Sequence, residues 1–430
     1  MDLSPLKSAL SLRQKFNVDV LWNVASLAVL GVAGVVINGV IAVSQGAAAL
    51  GIFNQVFAAY IMLSQIAVGG IHFSVLKEVS HHQDDRQRCA DITISALVLG
   101  TGIAVVVCAI AYLLRHWVGS LLDSPGVAEG LALAVPGLLF FSLNKILLNV
   151  LNGLSFMRAF AVFQALRYLF ILAAVWAIVW AGWPAERLAL SLTVSEVLLL
   201  LLLLAYLSLA VFPLKLSSRV QRWFGAHLSY GFRGFFSGLL TEMNTRVDVL
   251  LLGYFCDDAA VGVYSFAAIL AEGFAQLPLV VRRNMDPIIG RYFAEHDRKR
   301  MEEIAHRVKK VTYLAMGLVA VAAVGLYPVG LKMILAEPAF ASSSAVFAIL
   351  MAGIAVNSGY RPFLGIMLQG GRPGAHTFFV SAIVLSNAIL NILLIPLLGV
   401  YGSAVATATA YGLEAVLIVV CAKKLFGVTL

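Results

Sequence analysis

The sequence predicts an all-α polytopic membrane protein of about twelve transmembrane helices, in two six-helix lobes related by a parallel internal repeat. Three observations carry this expectation. Hydrophobic residues make up 61% of the 430-residue chain and charged residues 12%, where a soluble domain carries about 45–50% and about 25%. Windows of about 20 residues, the helix length that crosses a bilayer core, find twelve apolar segments. Lysines and arginines concentrate on alternate links between those segments, as the positive-inside asymmetry requires.

In chain order, residues 1–17 form an amphipathic leader expected on the cytoplasmic side. It lacks the basic head, short apolar core and small-residue cleavage site of a signal peptide. The first lobe, 18–214, holds spans at Val18–Val43, Leu50–Lys77, Ile92–Leu114, Val127–Leu151, Phe160–Ala181 and Leu188–Val211. A cytoplasmic linker covers 215–227. The second lobe, 228–430, holds Leu228–Phe255, Ala260–Ile289, Val308–Tyr327, Phe340–Leu368, Thr377–Leu398 and Ser403–Leu425. With both termini inside, twenty of the 30 Lys and Arg fall on cytoplasmic links. Only Arg115, Arg187 and Lys332 fall on outer ones. A missed helix would scramble this division, so it supports twelve spans with both termini inside; a bacterial inner membrane is the expected location. The longest link, Arg291–Lys310, pairs Glu302 with His306 and Glu303 with Arg307 at helical spacing, which predicts a charged helical extension.

The halves repeat. AALGIFN at Ala48–Asn54 echoes AAVGVYS at Ala259–Ser265, and LNG at Leu151–Gly153 echoes LQG at Leu368–Gly370. Glu196 and Glu414 occupy matching places in the last helix of each half, at an offset of 218 against 211 and 217 for the other matches. Six helices per half put both halves on the same side at their start, so the repeat is parallel and suits alternating access.

Several function classes are excluded by what the residues offer. The net charge of +8 sits in short links rather than in a basic stripe interleaved with aromatics, so nucleic acid is not the expected partner. The cysteines Cys89, Cys108, Cys256 and Cys421 are scattered, without CxxC pairs that would suggest zinc or a disulfide framework. No Walker A, HExxH, GxSxG or Asp-rich metal cluster occurs, so transport rather than catalysis is expected, without a cofactor or a bound metal.

Seven basic residues fall within or beside the spans: Lys145, Arg167, Arg233, Arg246, Arg282, Arg283 and Arg361. A charge near the bilayer centre costs several kcal/mol by insertion scales (about 2.5–3.5 kcal/mol), so these are expected to face a polar cavity. Arginine offers a permanent charge and a planar donor fork matched to phosphate oxygens, which points to an anionic headgroup. Arg233 and Lys145 also lie where they can snorkel to an interface. Four acidic residues, Glu242, Glu272, Asp248 and Glu414, are candidates to exchange a proton or hold a sodium ion, although Glu242 sits one turn from Arg246 and can serve as a structural pair instead.

Three tracts carry a resemblance to a known family. They are NAILNILLIPLLGVYGSAVAT at Asn387–Thr407, RVDVLLLGYFCDDAAVGVYSFA at Arg246–Ala267 and LQGGRP at Leu368–Pro373. Together, over essentially the whole chain, the sequence resembles the polysaccharide flippases of the multidrug/oligosaccharidyl-lipid/polysaccharide exporter superfamily. The family's Asp, Gly and Tyr fall here on Asp248, Gly262 and Tyr264. Where the family often carries a basic residue and Gly-Pro, this chain has AVSQGAAALG at Ala42–Gly51.

The resemblance implies a two-lobed, V-shaped bundle that moves an undecaprenyl-pyrophosphate-linked oligosaccharide from the cytoplasmic to the periplasmic leaflet. The implied pathway is O-antigen, capsule or exopolysaccharide synthesis, driven by an ion gradient (H+ or Na+). Partners would be the lipid-linked cargo, membrane lipids, and the polymerase and chain-length machinery. Two alternatives remain open at this point: a drug or cation antiporter of the same superfamily, and a non-transport scaffold of a polysaccharide assembly complex.

Overall fold

The computed structural model describes residues 4–214, 220–295, 297–335 and 337–430, without the side chains of residues 4–21, 23, 24, 237 and 241. The start of the expected leader and the linker residues Lys215–Arg219 therefore lie outside the described residues. The rest is helical, with no strand among the described residues.

The first unit comprises 1–40, 59–120 and 125–239; the second comprises 41–58, 121–124 and 240–430. In chain order the helices are α1 (Ser4–Val68), α2 (Ile71–His81), α3 (Arg86–Leu121), α4 (Pro125–Gly153), α5 (Met157–Trp180), α6 (Leu190–Tyr206) and α7 (Phe224–Phe255). They continue as α8 (Asp258–Glu295), α9 (Arg298–Ile334), α10 (Ser343–Ser358), the single turn α11 (Ile366–Gln369), α12 (Pro373–Leu398) and α13 (Val400–Phe426).

Ten stretches among the described residues are long and apolar enough to cross a membrane. The first, Ala25–Val68, is 44 residues long, about twice what one crossing needs. It is two crossings joined at Gly46, whose φ of 82° and ψ of −175° break the helix. Glycine tolerates this backbone because it has no Cβ. The restarted helix exposes an orphan N–H at Ala47, and Glu337 Oε2 accepts from it at 3.0 Å. A carboxylate is the natural cap there, because the helix N-terminus carries positive partial charge. The 32-residue α7 is absent from the ten, since Arg233, Glu242, Arg246 and Asp248 load it with charge. With the first stretch counted as two and α7 added, the expected twelve crossings are accounted for.

Element ends depart from the apolar windows for local reasons. The second span breaks at Gly69–Gly70, both at positive φ, so its last turns form the separate α2. The tenth span stops at Ser358 and passes through a 3-10 turn at Arg361–Phe363 before α11. Pro362 lies in that turn, where it cannot donate an α-helical hydrogen bond. The charged link after the eighth span is not a loop. Asp297 caps α9 by accepting from Arg300 N at 3.1 Å, and the helix then runs without a break for 37 residues.

Each unit has its own apolar core. In the first, Ile71, Val75, Ile92, Ile146, Leu147, Leu199 and Leu203 pack α2, α3, α4 and α6 together. In the second, Tyr264, Phe347, Leu350 and Ile395 form one cluster, while Ile289, Phe363, Ile366, Phe379 and Ile418 form another. The opposite faces stay apolar and open. Along α9, Val311, Leu314, Leu318, Val321, Leu326 and Met333 are all exposed. Water would penalise such a stripe, whereas lipid tails solvate it.

Within the second unit, backbones come together at glycines. A methyl group on Gly262 would strike the Ala47 carbonyl, and one on Gly51 would strike the Asp258 carbonyl. Neither obstacle is a flexible side chain. Asp258 also accepts from Gln55 at 2.6 Å and from Ser124 at 2.8 Å, which ties 41–58 and 121–124 to the start of α8. Replacing Gly262 with Ala is expected to cost about 1–3 kcal/mol, the usual penalty of overpacking. Thermal unfolding of the detergent-solubilised protein checks this, and an unchanged midpoint would show that the two backbones are not in contact.

Candidate functional site

Charged side chains within the apolar helices gather in two places, one inside each unit. In the first unit, Glu196 of α6 is nearly fully buried. Its Oε1 lies 2.8 Å from Arg167 Nε on α5, and its Oε2 accepts from Asn144 Nδ2 on α4 at 2.7 Å. Arg167 also lies over the Phe141 ring at 4.6 Å, and the Lys145 ammonium sits 5.7 Å from the same ring. An aromatic face attracts a cation through its quadrupole. Phe141 in turn meets Tyr60 edge-on at 5.7 Å. Three helices thus converge on one carboxylate.

In the second unit the cluster is larger. Arg246 of α7 lies over Phe57 at 5.2 Å. Glu272 of α8 is within electrostatic reach of Arg246, Asp248 and Arg361. Asp248 accepts from the Tyr264 hydroxyl at 2.6 Å, and Tyr264 lies 3.4 Å from Thr407 on α13. Arg361, in the 3-10 turn after α10, lies over Tyr411 at 5.2 Å and 3.9 Å from Glu414. One turn before it, neither amide atom of the fully buried Asn357 is hydrogen-bonded among the described residues. An unpaired buried amide costs about 1–3 kcal/mol, so this arrangement holds polar capacity that packing alone does not need.

The expected site residues therefore sort into groups. Arg246, Asp248, Glu272, Arg361 and Glu414 come together in the second unit. Arg167 and Lys145 share Phe141 in the first. Arg282 lies 3.5 Å from Asp286 on its own helix, while Arg283 and Arg233 are exposed. Glu242 is half-buried on α7, four residues before Arg246. The two glutamates that mark the repeat, Glu196 and Glu414, each meet a guanidinium inside their own unit.

Sequence reasoning did not find Asn144 as a partner of Glu196, nor Phe57, Phe141 and Tyr411 as aromatic platforms. Aromatic residues are common in membrane helices, and nothing in their spacing marks those that meet a cation. Among the described residues no group of His, Cys, Asp and Glu is arranged to hold a metal ion.

A family model described as polysaccharide biosynthesis protein matches residues 19–273, and one described as MatE matches 235–397. No curated protein sequence matches. Among solved structures, the lipid II flippase MurJ in an inward closed conformation aligns with a TM-score of 0.77 at 14% identity, over 94% of this chain and 88% of that one. An inward-facing multidrug resistance MATE family transporter of the MOP superfamily aligns at 0.72 and 10% identity, over 92% and 96%. The eukaryotic MATE transporter AtDTX14 aligns at 0.60 and 13%, over 93% and 95%. At such identities these likenesses establish a shared fold.

Proposed function

The chain belongs to the polysaccharide biosynthesis protein family, and from that premise we propose that it is a flippase for a lipid-linked oligosaccharide. The cargo is an undecaprenyl-pyrophosphate-linked glycan, carried from the cytoplasmic to the periplasmic leaflet by ion-coupled alternating access. It would serve O-antigen, capsule or exopolysaccharide synthesis, alongside a polymerase and chain-length machinery. The protein sits in the inner membrane with both termini cytoplasmic.

The observation that carries this reading is the cluster of Arg246, Arg361, Asp248, Glu272 and Glu414 inside apolar helices. Membrane helices rarely keep such charges unless they line a pathway or bind cargo. Two guanidiniums supply planar donors for pyrophosphate oxygens. Three carboxylates compete for them. A carboxylate that takes up a proton or a sodium ion releases its arginine toward the headgroup, and one that loses the ion reclaims it. Substrate binding and ion binding are then linked through shared partners. Arg167 belongs to a separate, already neutralised pair and contributes less to anion binding.

A second reading, a drug or cation antiporter, is favoured by the MatE match over 235–397 and by the excess of carboxylates over guanidiniums in this cluster. Deletion of the coding sequence separates the two. The flippase predicts accumulation of one undecaprenyl-linked glycan in lipid extracts, read by mass spectrometry, with loss of its surface polymer. Unchanged lipids and surface, with raised drug sensitivity, would favour the antiporter.

A further inference from the structure

We propose that a groove between α1 and α5, on the flank of the first unit, holds the isoprenoid chain of the lipid-linked cargo; this rests on the flippase reading. Trp22, Ala25 and Ser26 on α1 face Ala161, Ala165 and Leu169 on α5 across a cavity of about 170 Å3. That is below the 300–1,000 Å3 or so of a pocket for a compact ligand, and its lining is apolar apart from Ser26. It suits a hydrocarbon chain and not a sugar or a phosphate.

Position along the helix sets the occupant. At about 100° per residue, Arg158, Ala161, Val162, Ala165, Leu169, Trp176 and Trp180 fall on one face of α5. Arg158 is exposed at the start of that face, and Trp176 and Trp180 are exposed at its end. The eighteen helical steps from Arg158 to Trp176 span about 27 Å, close to the roughly 30 Å of the bilayer hydrocarbon. Arg158 thus stands at the headgroup level of one leaflet, the cytoplasmic one by the distribution of Lys and Arg. The tryptophans stand at the opposite interface, where amphipathic rings concentrate. The groove lies in the leaflet from which the cargo starts, beneath a cation suited to its phosphate.

The lining also selects the type of chain. Small residues form pits one helical turn, about 6 Å, apart on α5, at Ala161 and Ala165, while the exposed Trp22 and Leu169 form the rims. A straight acyl chain leaves these pits unfilled and forfeits their van der Waals contacts. A chain with regularly spaced methyl branches fills them. Arg167 points the other way on the same helix, to Glu196, so α5 separates the flank groove from the buried charge.

The test uses the full-length protein in phosphatidylcholine vesicles, with a photoreactive benzophenone amino acid in place of Leu169. Undecaprenyl phosphate and phosphatidylglycerol are compared at equal mole fraction, and adducts are read by intact mass. The same photoreactive group in place of the lipid-facing Leu318 of α9 is the control. Undecaprenyl phosphate is expected to label position 169 several-fold more than phosphatidylglycerol does, and several-fold more than it labels position 318. In an Ala165→Trp background, which fills the groove, the excess is expected to vanish. Equal labelling by the two lipids, or labelling at 318 as strong as at 169, would overturn the groove even if the deletion strain accumulates cargo. Selective labelling in a strain background without cargo accumulation would overturn the flippase reading instead.

Discussion

Replacing Arg167 with Met is expected to destabilise the protein by about 3–5 kcal/mol, the cost of leaving a buried charge without its partner. Glu196 is 2% exposed, and once the guanidinium 2.8 Å away is removed, Asn144 Nδ2 is the remaining side-chain donor to its carboxylate among the described residues. One amide hydrogen bond does not compensate an ionised group in an apolar bundle. The Arg167→Met, Glu196→Gln double variant is expected to recover most of the loss, because a neutral amide of similar shape keeps the Asn144 contact and removes the stranded charge. Thermal or denaturant unfolding in detergent measures both variants. A double variant no more stable than the single would mean that Arg167 acts by packing against Phe141 and not by pairing with Glu196. The comparison also settles whether Arg167 is a structural cation, since a cargo-binding arginine would be more sensitive in transport than in stability.

Neutralising Arg246 and Arg361 together, each to Gln, is expected to abolish glycan export per unit of protein that reaches the membrane, beyond whatever stability the stranded carboxylates cost. Both side chains are held over aromatic rings, Phe57 and Tyr411, which can pack against an uncharged glutamine. Removing the two cations also leaves Asp248, Glu272 and Glu414 facing one another, so anionic cargo meets repulsion where it had met donors. Surface polysaccharide, assayed beside the amount of protein in the membrane, reads the effect. A scaffold that only organises other enzymes would lose little, and export unchanged in this variant would remove the second-unit cluster from the transport pathway. Substituting Arg283 alone is expected to do far less, because its side chain is exposed and not held among buried carboxylates.

Much of the fold follows from local chemistry. Apolar length alone marks most crossings, since about 20 helical residues must hide from water in a bilayer. Even so, α7 escapes the hydropathy criterion because of the charges that make it interesting. The charge asymmetry of the links, the small-residue tracts and the near-constant offset between halves were likewise legible in the chain. The breaks at Gly46 and Gly69–Gly70 were less so. Glycine is frequent in membrane helices, and only the backbone angles distinguish a hinge from an ordinary helical position.

Pairing is where one dimension runs out. A wheel places Arg167 or Glu196 on a face of its own helix but does not say which neighbour that face meets. Asn144 and Glu196 are 52 residues apart, and Ala47 and Glu337 are 290 apart. No local pattern joins them. The sequence by itself determined the solvent, the number of crossings and the inventory of charges, because transfer free energy acts on each residue where it stands. The tertiary structure decided which charges neutralise each other and which gather into a polar cluster. Those energies depend on the distance between groups from different helices, and only packing sets that distance.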